Sequence, residues 1–426
     1  MNILVVGGGG REHAIIKKLK ENKAVKQIYA LPGNGGIAYD AVCVNIKATD
    51  LDGITEFAGT HDIDFAVIGP DDPLAAGAVD RLLAIGIPAF GPTANAAIIE
   101  GSKVFSKELM KRYKIPTANY EVFDSAEKAL SYINSKNDFP VVIKADGLAL
   151  GKGVIIAKNQ KEAENAIQSI MKDRIFGDSG NRVVVEEFLT GPEVSVLAFT
   201  DSKTLIPMVS SMDHKRALDG DQGLNTGGMG TVAPNPYYTE EVADQCMKEI
   251  FLPTIEAMNK EGRPFKGCLY FGLMLTENGP KVIEYNCRFG DPEAQVVLPL
   301  LTTDLLTIMQ AVTEERLSEV PVEFDKGSAC CVVAASGGYP KSYQTGLPIS
   351  GLTEGGLEGA SVFHAGTRLT DQGLLTSGGR VLGVTAVDDC LEKAIENAYQ
   401  KLKQIEFKGM HFRTDIGQRA LKARGL

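Results

Sequence analysis

The first hundred residues alternate between short apolar stretches and longer amphipathic ones, and this alternation constrains the fold more than any other feature of the chain. Strand-length and helix-length stretches follow one another as NILVVGG, REHAIIKKLKEN, VKQIYAL, FAVIGP, LAAGAVDRLLAIG and PAFGP. Strands that alternate with helices form βαβ units, whose strands run parallel. The sequence therefore predicts an α/β fold that begins with a parallel αβ domain, which we place at residues 1–102.

Two further segments are expected after that domain. A helix in EGSKVFSKELMKRY opens a central domain at residues 103–323, in which a small α+β stretch at about 118–190 precedes further strands and helices. Glycine-rich turns then separate the strands SACCVVAASGGYP, SVFHAGT and RVLGVTAV, and the helix DCLEKAIENAYQKLKQI follows them. This change of texture predicts a β-rich C-terminal domain at residues 327–426.

Composition excludes several classes of protein. The net charge of −10 over 426 residues argues against a sequence-independent nucleic-acid binder, which needs a basic surface. A membrane helix needs roughly 20 apolar residues, and the chain contains no such run; its N-terminus lacks the basic segment of a signal peptide. The seven cysteines form no C-x-x-C pair, so we expect reduced thiols and a cytoplasmic protein without membrane partners.

The stretch KVIEYNCRFGDPE places polar side chains at the end of an apolar strand. Residues i and i+2 of a strand share a face, so Glu284 and Asn286 can converge on one point, and Arg288 follows on the same face if the strand persists. Two oxygen donors beside a cation are compatible with an ion or phosphate site. Ion pairs at a solvated strand end would produce the same pattern, and this stretch alone leaves both interpretations open.

A glycine-rich loop joins the first strand to the first helix in VVGGGGREH. It is not the dinucleotide fingerprint G-x-G-x-x-G, because the frame from Gly7 puts Glu12 in the third glycine position and the frame from Gly8 puts His13 there. Backbone N–H groups at a helix N-terminus can hold an anion. The loop PGNGG ends the next strand and would lie beside it, which favours a phosphate or substrate loop over a purely structural tight turn.

The stretch VVIKADGLALGKGV places Lys144 at the end of a strand, and the loop that follows contains Gly147, Gly151 and Gly153. It is not a Walker A loop, because three residues rather than four separate Gly147 from Gly151 and because Gly153 replaces Ser or Thr. A protein kinase is excluded as well, since its glycine-rich loop precedes the lysine strand. A glycine hairpin that covers a triphosphate neutralised by Lys144 accounts for these residue types, with a plain surface hairpin as the alternative.

Two later stretches add charged candidates. VVVEEFLTGPEVSV carries Glu193, which is suited to accept hydrogen bonds from ribose hydroxyls. MDHKRALDGDQGLNTGGMG combines Asp213, Lys215 and Arg216 with a dense run of glycines. A charge run is most often a solvated face, but basic residues beside so many glycines favour an anionic substrate.

Taken in order, these motifs are similar to those of the glycinamide ribonucleotide synthetase (phosphoribosylamine–glycine ligase) family of the ATP-grasp superfamily. Members of that family usually carry Glu, Gln and Pro at the positions of Asp71, Met212 and Leu224. The resemblance implies a pre-ATP-grasp domain, an ATP-grasp core with a small α+β lid, and a C-terminal β-rich domain. It covers essentially the whole chain and rests on GGGGREH, PGNGG, EGSKVFSKELM, VVIKADGLALGKGV, DHKRALDGD, NTGGMG, EYNCRFGDPEAQ, FHAGT, TSGGRVLGVTA and FRTDIG.

The resemblance also implies an activity. It implies an ATP-dependent carboxylate–amine ligase of purine biosynthesis that joins glycine to 5-phosphoribosylamine through glycyl phosphate and releases glycinamide ribonucleotide, ADP and phosphate. We therefore expect small-molecule partners only, Mg²⁺ or Mn²⁺ as the metal, and a stand-alone monomer.

Residue roles come from the same resemblance. Glu284 and Asn286 would bind the metal, and Arg288 and Lys144 would act in phosphoryl transfer. The expected nucleotide-binding residues are Lys103, Lys144, Gly147, Gly151, Lys152, Gly153, Glu186 and Glu193. The expected substrate-binding residues are Gly9, Arg11, Glu12, Asp213, Lys215, Arg216 and Asp291.

Two rival functions stay open at the level of sequence. A sister ATP-grasp enzyme that acts on another purine intermediate would share Lys144, Glu284 and Asn286, but not the segment that runs from DHKR to NTGGMG. A nucleotide-sensing protein without catalysis is the second. The paired oxygen ligands, Arg288 and the glycine-rich loop argue against that reading.

Overall fold

The computed structural model describes residues 1–148, 153–353 and 356–425, and in these residues no helix combines the length and apolar character needed to cross a membrane. The N-terminal elements are β1 (Asn2–Gly7), α1 (Gly10–Leu19), β2 (Gln27–Pro32), β3 (Val42–Cys43), α2 (Leu51–Thr60), β4 (Phe65–Ile68), α3 (Asp71–Ala75), α4 (Ala78–Ala84), β5 (Ala89–Phe90) and α5 (Ala94–Gly101). The strands form a parallel sheet in the order β3-β2-β1-β4-β5, which confirms the parallel sheet predicted from the alternating pattern.

Two stretches predicted as single helices are each divided. In LAAGAVDRLLAIG, Gly77 adopts φ +92 between α3 and α4, a left-handed conformation that an α-helix does not contain. In EGSKVFSKELMKRY, the hydroxyl of Ser102 accepts a 3.1 Å hydrogen bond from the backbone N–H of Phe105 and so caps a new helix, α6 (Lys103–Tyr113). The single-helix predictions were wrong because local backbone conformation and capping, rather than apolar spacing, end a helix.

A separate antiparallel sheet follows α6. Its elements are β6 (Tyr120–Phe123), α7 (Ala126–Lys136), β7 (Val141–Ala145), β8 (Val154–Ala157), α8 (Gln160–Ile167) and β9 (Val183–Glu187). The strand order is β6-β9-β7-β8, and the sheet and its helices bury a small apolar core of their own that includes Ile143, Ile167 and Val183. This unit corresponds to the α+β stretch that the sequence predicts at about 118–190.

The rest of the central region forms a second antiparallel sheet. Its elements are β10 (Glu193–Thr200), β11 (Leu205–Pro207), β12 (Met212–Asp213), β13 (Arg216–Leu218), β14 (Gln222–Asn225), β15 (Gly230–Ala233), α9 (Glu240–Cys246), α10 (Leu252–Lys260), β16 (Gly267–Thr276), β17 (Gly279–Asn286), α11 (Ala294–Leu300) and α12 (Leu305–Thr313). The sheet order is β11-β10-β16-β17, while β13 and β14 form a hairpin. Leu4 and Phe271 belong to one buried apolar cluster, so this sheet shares a core with the N-terminal domain.

The C-terminal elements are β18 (Ser328–Ala335), β19 (Ser361–His364), β20 (Thr367–Thr370), β21 (Gly373–Thr376), β22 (Arg380–Asp388), α13 (Leu391–Leu402) and α14 (Gln418–Ala423). They build an antiparallel sheet in the order β12-β15-β18-β22-β19, in agreement with the predicted β-rich fold. Strands β12 and β15 precede residue 327, so the sheet takes two strands from the segment that the sequence assigns to the central domain. The residues between those strands are thereby held where the two domains meet.

Two buried histidines join α1 to the C-terminal sheet. The Nδ1 atom of His13 accepts a 2.8 Å hydrogen bond from the backbone N–H of His364, and its Nε2 atom lies 3.0 Å from Asp40. A proton on Nδ1 would remove that acceptor. Burial lowers the pKa of His13 and lowers the pKa of His364 to about 3, so both rings are neutral near pH 7.

We predict that replacing His364 with Gln makes stability less sensitive to acid. A histidine ionises near pH 6.5 in the unfolded chain and near pH 3 here, so its contribution is present above pH 6.5 and is lost as the pH falls towards 3. One such group changes the free energy of unfolding by up to about 1.4 kcal/mol per pH unit. Urea unfolding at pH 7, 6, 5 and 4.5 measures the slope. The matched variant His61→Gln, at an exposed histidine, should keep the wild-type slope; an unchanged slope in His364→Gln would contradict the burial argument.

Candidate active site

A cavity of about 610 Å³ opens where the three parts of the chain meet. Most residues that the sequence singled out reach its wall: Arg11, Lys103, Lys144, Gly147, Gly153, Glu186, Glu193, Asp213, Lys215, Arg216, Glu284, Asn286, Arg288 and Asp291. Gly9 and Glu12 lie behind the wall, and Gly151 and Lys152 fall outside the described residues. Residues separated by hundreds of positions in the sequence therefore converge on one volume.

Strand β17 delivers the two oxygen donors to this cavity. Gly272 faces Glu284 and Leu273 faces Val282 across the strand pair, so Ile283 is an extra residue in a bulge. After the bulge, Glu284 and Asn286 both line the cavity, as the i, i+2 spacing predicts. Burial acts to raise the pKa of Glu284, but Lys215 and Lys144 outweigh it and lower that pKa, so the carboxylate is charged at neutral pH.

A buried glutamate that the sequence did not single out holds Arg288. One oxygen of Glu100 lies 3.1 Å from Nη2 of Arg288, and the other accepts a 2.7 Å hydrogen bond from the backbone N–H of Cys287. Arg288 also donates to Oδ1 of Asn286 at 3.1 Å. Burial acts to lower the pKa of Arg288, but Glu100 and Asp71 raise it above its usual value, so the guanidinium stays charged. Its buried Nε has no hydrogen-bond partner among the described residues and can donate to an anion.

Three lysines, Lys103, Lys107 and Lys144, line a part of the cavity that we call the lysine wall. Glu186 on β9 lies 3.0 Å from Nζ of Lys144 and 3.0 Å from Nζ of Lys107, so one carboxylate fixes two ammonium groups. Lys144 also donates to the carbonyl of Ile283, and Lys103 donates to the carbonyl of Gly147 at 2.7 Å. Burial lowers the pKa of Lys107 to about 8 and lowers that of Lys103. The signal for Lys107 was present, since it lies one helical turn beyond Lys103.

Lys215 lies between Glu284 on β17 and Glu193, which also lines the cavity. Its Nζ lies 3.1 Å from Glu193 and 3.9 Å from Glu284, and Glu193 raises the pKa of Lys215 well above its usual value. Asp213 lies near Glu293, and burial followed by this second carboxylate raises the pKa of Asp213 well above its usual value. Both acids line the cavity, and this part of the wall therefore offers an ammonium group and carboxyl groups side by side.

The C-terminal domain contributes Arg380. This residue lies in the motif TSGGRVLGVTA but was not a candidate site residue from sequence. Its guanidinium lies 3.2 Å from Asp291 and donates to the carbonyl of Gly227 at 2.8 Å. Burial acts to raise the pKa of Asp291, but Arg380 and Arg11 lower it below its usual value. Arg380 therefore ties β22 to the loop that follows β17.

The glycine-rich loop after β1 is supported from below by Glu12. This side chain is only 2% exposed, accepts a 2.7 Å hydrogen bond from the backbone N–H of Gly9, and lies 2.6 Å from Nε of Arg11. Gly7 has φ +128, and a Cβ atom there or on Gly69 would collide with Glu12. Glu12 therefore shapes the loop and orients Arg11, which is the member of the predicted loop set that reaches the cavity.

The three positions that depart from the family pattern lie in different surroundings. Asp71 lines the cavity, Met212 is buried in the C-terminal core, and Leu224 is half exposed on the β13–β14 hairpin. Asp71 is thus the departure that bears on the cavity directly.

The donor set fits a divalent cation shared with a phosphate ligand. Among the described residues, no three His, Cys, Asp or Glu side chains converge into a complete metal site. Glu284 and Asn286 offer two hard oxygen donors, and Mg²⁺ is commonly held by one or two protein oxygens together with waters and phosphate oxygens. With both lysines and arginines in its lining, the cavity is suited to bind a polyanion and a second, smaller charged molecule.

Family models match the chain in three consecutive parts. They are described as the N domain of phosphoribosylglycinamide synthetase at residues 1–100, its ATP-grasp (A) domain at residues 101–294, and its C domain at residues 329–419. Their order agrees with the three parts of the fold.

Individual proteins give the same picture. The chain is 47% identical over 416 residues to a phosphoribosylamine–glycine ligase of Caldanaerobacter subterraneus, with 98% of this chain and 99% of the relative covered. The crystal structure of phosphoribosylamine–glycine ligase from Thermotoga maritima superposes with a TM-score of 0.86 at 32% identity, over 98% of this chain and 100% of that one. The biotin carboxylase domain of Hydrogenobacter thermophilus 2-oxoglutarate carboxylase, solved with MgADP, shares the fold at a TM-score of 0.74 and 17% identity, over 96% and 91% of the two chains. The chain therefore belongs to the phosphoribosylglycinamide synthetase family.

Proposed function

We propose that the protein is an ATP-dependent ligase that joins glycine to 5-phosphoribosylamine and releases glycinamide ribonucleotide, ADP and phosphate in purine biosynthesis. The observation that carries this proposal is that one cavity is lined by the lysine wall, by the Glu284 and Asn286 oxygens, and by Lys215, Asp213 and Arg380. Family membership over the whole chain supports the choice of substrates.

The reaction proceeds in two displacements. A carboxylate oxygen of glycine attacks the γ-phosphorus of ATP, the bond to the β–γ bridging oxygen breaks, and ADP leaves with glycyl phosphate formed. The amine of 5-phosphoribosylamine then attacks the glycyl carbon, and phosphate leaves with the glycine oxygen as the amine loses a proton. Neither step needs a protein nucleophile, so the chain contributes positioning and charge stabilisation.

The lysine wall is suited to the nucleotide. Lys103 and Lys144 would neutralise the phosphates, and Glu186 keeps Lys144 and Lys107 at fixed positions beside them. Glu193 and the glycines of the loop, Gly147 and Gly153, would contact the rest of ATP. Gly151 and Lys152 remain proposed nucleotide contacts that lie outside the described residues.

Charge on the transferred phosphoryl group requires a fixed cation. Arg288 is held by Glu100, and its unpartnered Nε is the group that would donate to that phosphoryl group. Glu284 and Asn286 would hold Mg²⁺ or Mn²⁺, which supplies a further positive charge for the phosphate oxygens when it is bound.

The remaining walls are assigned to glycine and 5-phosphoribosylamine. Asp213 is suited to the ammonium group of glycine, and Lys215, Arg216, Arg11 and Asp291 would orient the other charged and hydroxyl groups. Gly9 and Glu12 act by shaping the loop that carries Arg11.

The proposal also covers the oligomeric state and the cellular compartment. The assigned residues all come from one chain, so a monomer suffices for the reaction. None of the seven cysteines is disulfide-bonded in the described residues, which fits a reducing cytoplasm.

Substrate-dependent release of ADP tests the proposed function. We expect the purified protein to release ADP with ATP, glycine and freshly made 5-phosphoribosylamine, and to lose that release when either acceptor is omitted. Replacing glycine with alanine or serine should give little turnover. ADP release that does not require glycine would overturn the assignment and favour the sister ATP-grasp enzyme. Nucleotide binding without any ADP release would overturn it as well and favour the nucleotide-sensing protein without catalysis.

We predict that Glu284→Gln removes most of the activity and leaves the fold intact. The substitution keeps the shape but removes the negative charge that faces the proposed metal, so kcat should fall by roughly 10²-fold or more. The matched variant Glu277→Gln makes the same chemical change at an exposed residue in the turn between β16 and β17, and should behave as wild type. Turnover is measured at saturating Mg²⁺ together with the thermal midpoint. Wild-type turnover in a folded Glu284→Gln protein would contradict the metal-binding role.

A further inference from the structure

The segment at residues 213–227, which we call the cavity hairpin, carries charged side chains to the cavity but has little structure of its own. It contains β13 and β14, and their pairing is interrupted by a register shift between Arg216 and Leu218. Leu218 and Leu224 are 49% and 50% exposed, so the two large apolar side chains of the hairpin contribute little to a core. A two-stranded hairpin is at best marginally stable alone, and its position must therefore come from contacts with other parts of the chain.

Arg413 supplies the central contact. Its guanidinium is 1% exposed, and Nε and Nη2 donate to the two oxygens of Asp415 at 2.7 and 2.8 Å. The remaining nitrogen, Nη1, donates to Asp221 at 2.9 Å and to the backbone carbonyl of Arg216 at 3.1 Å. Both of these partners belong to the cavity hairpin, and both residues line the cavity.

Neighbours of Arg413 contact the same hairpin. The backbone N–H of Thr414 donates to Asp219 at 2.8 Å, and Asp415 accepts from the backbone N–H of Gly220 at 2.9 Å. His411 contacts the carbonyl of Ala217 at 2.8 Å. Residues 411–419 thus meet the hairpin along its whole turn, and we call them the C-terminal clamp.

Arg419 extends the clamp to the cavity itself. Its guanidinium lies 3.2 Å from Asp221, donates to the carbonyl of Asp213 at 3.3 Å, and lines the cavity beside Arg216. Two guanidinium groups on one rim are suited to bind a phosphate monoester, because each presents donors in a planar fork. Neither Arg413 nor Arg419 was a candidate from sequence, although FRTDIG contains the first of them.

We propose that the C-terminal clamp positions the cavity hairpin for the phosphate-bearing acceptor, with Arg413 as the positioning residue and Arg216 and Arg419 as the groups that meet the phosphate. The proposal rests on the proposed function, in which that acceptor is 5-phosphoribosylamine. Among the described residues, the lysine wall that faces the nucleotide has no contact with the clamp. Lys215 of the hairpin lies 3.1 Å from Glu193, so ATP binding should depend on the clamp only weakly, and less than acceptor binding does.

Arg413→Lys in the full-length protein tests the proposal. Lysine keeps the charge but cannot hold Asp415 and the hairpin at once, since it lacks the fork of the guanidinium. Misplacement of a substrate-binding group by about 1 Å costs up to about 10²-fold, so we expect kcat/KM for 5-phosphoribosylamine to fall by roughly 10- to 10²-fold. Affinity for a non-hydrolysable ATP analogue should change by less than about twofold, because the contacts of Lys103, Lys107 and Lys144 are left in place.

Asp221→Asn changes the partner of Arg413 on the hairpin. It should lower kcat/KM for 5-phosphoribosylamine as well, although it also weakens the pair with Arg419. The double variant with Arg413→Lys should show less than the summed loss, because both changes break the contact between Arg413 and Asp221. The matched control Lys422→Ala removes an exposed cation from α14 and should retain wild-type kinetics. If Arg413→Lys does not fold, Asp221→Asn decides the question alone.

Two results would overturn the clamp. One is wild-type kcat/KM for 5-phosphoribosylamine in folded Asp221→Asn and Arg413→Lys proteins, and the other is an equal loss for ATP and for the acceptor. Both results apply when the wild-type protein releases ADP only with glycine and 5-phosphoribosylamine. Absence of that release in the wild type would instead overturn the proposed function.

Discussion

The buried ion pair between Glu100 and Arg288 is the contact on which the rest of the site depends. Glu100 ends the N-terminal domain and Arg288 follows β17, so the pair fixes one domain to the other. The same carboxylate also accepts the backbone N–H of Cys287, and therefore sets the path of the chain directly after Asn286. Removing one partner of such a pair typically costs about 3–5 kcal/mol, because the other charge stays buried without compensation. This cost keeps Arg288 in one orientation at the edge of the cavity.

No part of the fold contains the site alone. The lysine wall comes from α6 and from β7 of the β6-β9-β7-β8 sheet, the oxygen donors come from β17, and Arg380 comes from the C-terminal sheet. Strands β12 and β15 leave the central region to pair in the C-terminal sheet, and the hairpin between them is brought to the cavity as a result. A cavity built in this way changes shape whenever its parts shift relative to one another, which couples substrate binding to domain arrangement.

Local sequence patterns predict part of the fold and of the site, but not the rest. The alternation of strands and helices predicts the parallel sheet because it depends on neighbouring residues, and the i, i+2 spacing places Glu284 and Asn286 on one face even with a bulge at Ile283. Helix ends at Gly77 and Ser102 depend on backbone conformation and capping, which apolar spacing does not record. Glu100, Arg380 and Arg413 acquire their roles from partners more than 80 residues away in the chain, so no local pattern identifies them.

Transfer of an oxygen atom from glycine to phosphate reports whether ligation proceeds through glycyl phosphate. In the proposed reaction, a carboxylate oxygen of glycine becomes the bridging atom of glycyl phosphate and leaves with the phosphate when the amine attacks. With glycine labelled by ¹⁸O in its carboxylate, and with ATP and 5-phosphoribosylamine unlabelled, mass spectrometry of the released phosphate reads the fate of that oxygen. We expect one ¹⁸O atom in each phosphate formed. Phosphate without the label, released at the rate of ligation, would show that the carboxylate is not activated by phosphorylation and would contradict the account.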